Sequence, residues 1–143
     1  LGFWLAHHQA HQLSRCYQVW WGERPVWLCA RCAGLYPALL LGLGAQLVGR
    51  WPAADWEALW LGAASLPALW DWAEARLGGS PGNNPRRTWT GALLGLALGR
   101  SAGLHGLSPF HPLAWGHLGM LCMVVVGVEL VARLAGEGPG GRA

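Results

Sequence analysis

Read as a pattern of apolar and polar positions, the chain opens on a mixed segment and then repeats one unit, a run of about twenty apolar residues closed by a short polar, proline or glycine break. The first run, Val26 to Val48, is interrupted only by Arg31 and Gln46, with Pro37 near its start, and Arg50-Trp51-Pro52 ends it. The second runs from Trp56 to Arg76 with Ser65 and Pro67 inside it and Asp71 and Glu74 near its far end. The stretch Gly-Gly-Ser-Pro-Gly-Asn-Asn-Pro-Arg-Arg at 78–87 meets every criterion for a loop. A third, glycine-rich run starts near Thr88, and after Ser108-Pro109 and His111-Pro112 a fourth extends from Leu113 to Leu134. Crossing roughly 30 Å of hydrocarbon takes about 20 residues. The pattern therefore predicts an all-α, polytopic membrane protein with spans at about 26–48, 56–76, 88–107 and 113–134. These form a single membrane domain, 1–135, followed by a flexible Gly-rich tail, 136–143.

Residues 1–25 do not fit the unit. His7, His8, Gln9, His11, Gln12, Ser14 and Arg15 follow the apolar start at once, and Gly22-Glu23-Arg24-Pro25 reads as a turn. An amphipathic or re-entrant helix lying against the bilayer is expected, with His7 and His11, or His8 and His11, on one face. Residues 1–12 lack the basic n-region of a cleavable signal peptide.

Composition agrees with a bilayer. Charged residues make up 12% of the chain, about half the share of an ordinary soluble domain, and 53% of residues are hydrophobic. Eleven tryptophans suit an interfacial belt better than a small soluble core, where each indole N–H needs a buried partner. The net charge of +3 is not a nucleic-acid footprint, because the arginines lie beside apolar runs and form no patch interleaved with exposed aromatics. No nucleic-acid partner is expected; the lipid bilayer is.

Charge also orients the chain. Four spans place both termini on one side, together with Arg15, Arg24, Arg31, Arg76, Arg86, Arg87, Arg133 and Arg142, eight of the ten basic residues. The positive-inside rule makes that side cytoplasmic. The same arginines suit an anionic lipid headgroup. Gly91, Gly95 and Gly99 form a small-residue face that lets a helix approach closely, a route to a homo-oligomer or a larger membrane complex.

Candidate chemistry begins at Cys29-Ala30-Arg31-Cys32. In a reducing compartment a close cysteine pair with histidines nearby reads as metal-binding. Thiolate and neutral imidazole are zinc's preferred ligands; iron or copper would suit a redox-active site. Cys29 and Cys32 supply two ligands, His7, His8 and His11 are the nearest candidates for the rest, and Cys16 comes next. The alternatives are a thiol-disulfide oxidoreductase using Cys29 and Cys32, and a non-catalytic subunit or assembly factor of a membrane complex. Asp71 is the second signal, since a carboxylate in an apolar run is a functional candidate by default. It is the candidate acid–base residue of a metal-dependent reaction, beside a polar network or substrate-binding set of Arg31, Asn84, Arg87 and Thr90. The competing reading of Asp71 is an ion pair that pins loop to helix.

Cys29-Ala30-Arg31-Cys32-Ala33-Gly34-Leu35-Tyr36 resembles the C-x-R-C-x-G-[IL]-Y signature of a bacterial membrane-protein family catalogued as domain of unknown function "twenty eighty-five". His8-Gln9 and Arg15-Cys16-Tyr17 are similar to that family's upstream Cys-His-Gln and Arg-Ser-Phe, and Pro67, Asp71, Asn84, Arg87 and Thr90-Gly91 to its downstream positions. Where the family has Cys before His-Gln, this chain has His7, an exchange that keeps a metal ligand and removes a thiol. The alternative alignment on His11-Gln12 puts Ala10 there. The resemblance implies a membrane protein and brings no reaction with it.

Overall fold

The computed structural model describes residues 10–49, 51, 55–79 and 82–136. A 3-10 turn (Ala10–Arg15) leads into two antiparallel strands, β1 (Cys16–Trp21) and β2 (Arg24–Cys29). Four helices follow: α1 (Ala30–Leu47), α2 (Glu57–Arg76), α3 (Asn84–Leu107) and α4 (Pro112–Gly136).

The hairpin corrects the expectation of an interfacial helix over 1–25. Tyr17, Val19, Trp20 and Trp21 favour extended backbone, and Pro25 steers Arg24 away from the helical region. Gly22, at φ +63°, takes the left-handed conformation that a two-residue hairpin connection needs. The register places Cys16 opposite Cys29, Val19 opposite Val26 and Trp21 opposite Arg24. Val26–Cys29, assigned from the pattern to the first span, therefore belong to β2. Trp20 and Trp21 stand exposed at the tip. His7 and His8 lie outside the described residues.

The four-span expectation is also corrected. Four helices are present, but among the described residues α4 is the one long and apolar enough to cross a membrane. Counting apolar run length overlooked polar load. With its first four residues taken by β2, α1 keeps 18 residues and still contains Arg31 and Gln46. Glu57, Asp71, Glu74 and Arg76 fall within α2, and Arg86, Arg87, Arg100 and His105 within α3, whose glycines lower its hydropathy further. Among the described residues the chain is thus mostly helical with a small two-stranded sheet and one candidate span, not a four-span polytopic bundle.

The helices are held by close backbone packing rather than by large side chains. Ala30, Gly34, Ala38 and Gly42 form the buried stripe of α1, at the four-residue spacing that aligns residues along one helix face. They meet Gly91, Gly95 and Gly99 of α3. A Cβ added at these α3 positions would overlap the carbonyl oxygens of Arg31, Leu35 and Leu39, and one at Gly34 would overlap that of Thr88. The close helix approach that the glycine spacing allows is therefore made by α1 of the same chain.

Polar contacts tie the remaining helices to this pair. His117 of α4 is buried between Ser65 Oγ (2.8 Å from Nε2) and Ser101 Oγ (2.7 Å from Nδ1). Ser65 donates its own proton to the Leu61 carbonyl, so a neutral His117 donates from Nε2 and accepts the Ser101 hydroxyl at Nδ1. Arg76 makes a two-pronged bond to Glu129, joining α2 to α4 (2.7 and 2.8 Å). Arg100 pairs with Glu57, bonds Gln46 and lies over the Trp51 ring, so this buried charge is satisfied on three sides.

Candidate functional site

The site lies where the hairpin and the first turns of α1 and α3 meet. Tyr17 of β1 hydrogen-bonds Thr88 of α3 at 3.0 Å, and Thr88 reaches the Ala30 carbonyl at the start of α1 at 3.0 Å. Asn84 Nδ2 donates to the Cys16 carbonyl at 3.3 Å. Asn83 caps α3 by accepting from Arg86 N–H at 2.9 Å, the ordinary role of an Asn at that position. The hairpin and the start of α1 are thereby fixed to the start of α3, more than fifty residues on, at one end of the molecule.

That junction assembles three cysteines. Cys29 is the N-cap of α1 and Cys32 lies in its first turn; the hairpin register brings Cys16 against Cys29. Cys16 and Cys29 are buried, Cys32 is half-buried, and none of the three is in a disulfide. Burial pushes the Cys32 thiol up to about 11; the Cys29 thiol beside it and, more weakly, Cys16 add to the effect, while Arg31 opposes it. Cys16 is raised as well, by burial first and then by Cys29, with Arg87 pulling the other way. Cys16 and Cys32 are thus each raised by burial and by the neighbouring Cys29, with an arginine opposing in each case.

A consequence is open to direct measurement. In metal-free protein, alkylation of Cys32 by iodoacetamide should titrate with a midpoint near 11, against about 8.5 for an ordinary thiol. Because the folded-state value lies above the unfolded one, these thiols leave stability unaffected below the unfolded value and lower it as pH rises from about 9 toward 11. A midpoint at or below that of a free thiol would contradict the arrangement.

Beside the thiols is a cavity of about 140 Å³ lined by Arg15, Arg31 and Arg87, by Cys29 and Cys32, and by the apolar surfaces of Leu35, Trp72 and Ala75. Arg87 is only 6% exposed and Asp71, just outside the lining, 2%. Asp71 pairs with Arg31 through Oδ2. Its Oδ1 lies 3.5 Å from Arg86 Nε, too poorly aligned for a hydrogen bond. Arg86 also reaches Glu74 at 3.1 Å. Gly82 crosses directly over this carboxylate, so close that an added Cβ would stand 2.7 Å from Oδ1.

Of the residues singled out from sequence, Cys29, Cys32, Arg31, Asp71, Asn84 and Arg87 come together here. His11 lies in the 3-10 turn just ahead of β1. Thr90 does not join them; its hydroxyl bonds the Arg87 carbonyl within α3. Sequence reasoning ranked Cys16 behind the histidines and gave Thr88 no part in the site. The signal that raises Cys16 is the two-residue turn Gly22-Glu23, which pairs residues whose numbers add to forty-five and so sets Cys16 against Cys29. Among the described residues, no group of three or more His, Cys, Asp or Glu side chains is arranged to hold a metal ion.

A hairpin and helix junction carrying clustered thiols and arginines, with one helix among the described residues long and apolar enough to cross a membrane, defines a small, mostly helical protein with a polar site at one end. The model of the family described as "Predicted membrane protein (DUF2085)" matches residues 8–100, and the chain belongs to that family. The match covers the hairpin, α1, α2 and most of α3, hence the whole site, and stops short of α4. Comparisons with curated proteins and with solved structures gave no match.

Proposed function

We propose that this membrane protein carries a thiolate-rich metal site, with zinc the resident ion. Cys16, Cys29 and Cys32 are three of its ligands, drawn together by the ion because among the described residues they are not already arranged to hold one, and an imidazole from His7, His8 or His11 is the fourth. The observation that carries the reading is the hairpin register, which adds a third reduced thiol to a Cys-x-x-Cys pair at a helix N-terminus. The chemistry of the donor set agrees. Zinc takes Cys₃His sites in tetrahedral geometry, and the burial and neighbouring thiols that keep Cys32 protonated are countered when a cation sits among the sulfurs. Three thiolates and one imidazole on Zn²⁺ carry one net negative charge, which Arg15, Arg31 and Arg87 offset.

The competing thiol-disulfide reading is less well supported. A redox cysteine works as a low-pKa thiolate, whereas the Cys32 thiol is pushed up to about 11. Four protein ligands leave no open position on the metal, so the site is structural or a metal store. Asp71 in this reading is the ion-pair hub that holds Arg31 rather than an acid–base group. The arginines gathered at this end favour the cytoplasmic face of a bacterial inner membrane, where thiols stay reduced.

Elemental analysis of detergent-purified protein tests the proposal. Wild type should hold about one zinc per chain, and Cys16→Ser should lose most of it, as should Cys29→Ser. Metal-free wild type, or full loading in Cys16→Ser, would overturn the proposed ligand set.

A further inference from the structure

We propose that the cavity lined by Arg15, Arg31 and Arg87 binds a phosphate-class oxyanion. The inference does not rest on the metal reading; it rests on charge left without a partner. Arg87 is 94% buried by exposed area (6% remaining), lines the cavity, and among the described residues has no carboxylate in ion-pair contact. Arg31 gives one nitrogen to Asp71, but its Nε is buried without a hydrogen-bond partner. Arg15 is the third cation, close enough for its charge to act on Arg87. Among the described residues, only two carboxylates, Asp71 and Glu74, pair with this group of Arg15, Arg31, Arg86 and Arg87, and Arg86 already engages both.

Like charges gathered under an apolar roof are costly unless something neutralises them. A zinc-bound thiolate cluster at the rim, with one net negative charge, would offset only part of the charge of three guanidinium groups. Guanidinium forks match tetrahedral oxyanions through paired N–H donors, and three of them suit a dianion better than a single carboxylate. The cavity, about 140 Å³, has room for several water-sized groups of about 30 Å³ each. Leu35, Trp72 and Ala75 supply an apolar wall beside the cations, a combination that accepts either free phosphate or the head of a phosphomonoester lipid.

The test is a calorimetric titration of detergent-purified full-length protein with inorganic phosphate. Alongside it, protein is bound to vesicles of phosphatidylcholine with and without phosphatidic acid. Wild type, Arg87→Gln and Arg15→Gln are compared, and zinc content is read on the same preparations so that metal loss and anion loss are scored separately. Saturable binding that weakens at least about tenfold, or 1.4 kcal/mol, in either variant supports the proposal. A response to inorganic phosphate identifies the free anion, and one confined to phosphatidic acid vesicles identifies the headgroup. Should Arg87→Gln fail to fold, Arg15→Gln decides alone, being half-buried and outside the helix packing. No saturable binding in either arm, or wild-type affinity in the folded variants, would overturn it.

Discussion

Gly34→Ala is expected to unfold the protein or abolish its accumulation, although it adds only one methyl group. The new Cβ would overlap the backbone carbonyl of Thr88, and a backbone atom in the first turn of α3 cannot rotate away as a side chain would. Overpacking costs about 1–3 kcal/mol where side chains yield; here α1 and α3 must separate along their whole glycine seam. Thr88 also carries the bonds to Tyr17 and Ala30, so the displacement reaches the site. The control is Gly44→Ala on the same helix, where an added Cβ meets nothing within 4 Å. That variant should be neutral or more stable by about 0.5–1 kcal/mol, as alanine is the better helix former. Thermal unfolding in detergent separates the two, and equal melting temperatures would contradict the seam.

Asp71→Ala should be the most damaging polar substitution. It leaves Arg31, whose Nε already lacks a partner, with no counter-charge, and it frees the second carboxylate contact of Arg86. Removing one member of a buried pair costs about 3–5 kcal/mol, chiefly because the other charge stays behind. The double variant Asp71→Ala/Arg31→Met should recover a large part of the loss, since deleting both charges removes that penalty. Additive losses in denaturation midpoints would show that the two residues do not act as a pair.

Much of the site was legible because its residues are expensive where they stand. Asp71 and Arg31 interrupt apolar runs, Arg87 closes the polar loop ahead of the third, and Cys29-x-x-Cys32 is visible as a string. The glycine stripe Gly91, Gly95 and Gly99 announced a close helix contact, and α1 makes it. What the string did not display was the hairpin. Its side chains do not alternate between apolar and polar, because Val19, Trp20 and Trp21 are all outward or at the tip, so the period-two signal of a half-buried strand is missing. Without the hairpin, Cys16 had no reason to meet Cys29, and Val26–Cys29 were counted into a span. The span count failed for a related reason. Run length treats glycine and alanine as apolar filler, but in α1 and α3 these residues serve backbone contact, and a charge such as Arg100 is satisfied inside the fold.

The central claim, that Cys16, Cys29 and Cys32 surround one metal ion, is tested most directly by X-ray absorption at the zinc edge of the purified protein. The account predicts a first shell of about three sulfurs at roughly 2.3 Å and one nitrogen at roughly 2.0–2.1 Å, with one sulfur fewer around whatever zinc Cys16→Ser retains. A shell of oxygen and nitrogen alone, or two sulfurs in both wild type and Cys16→Ser, would contradict it.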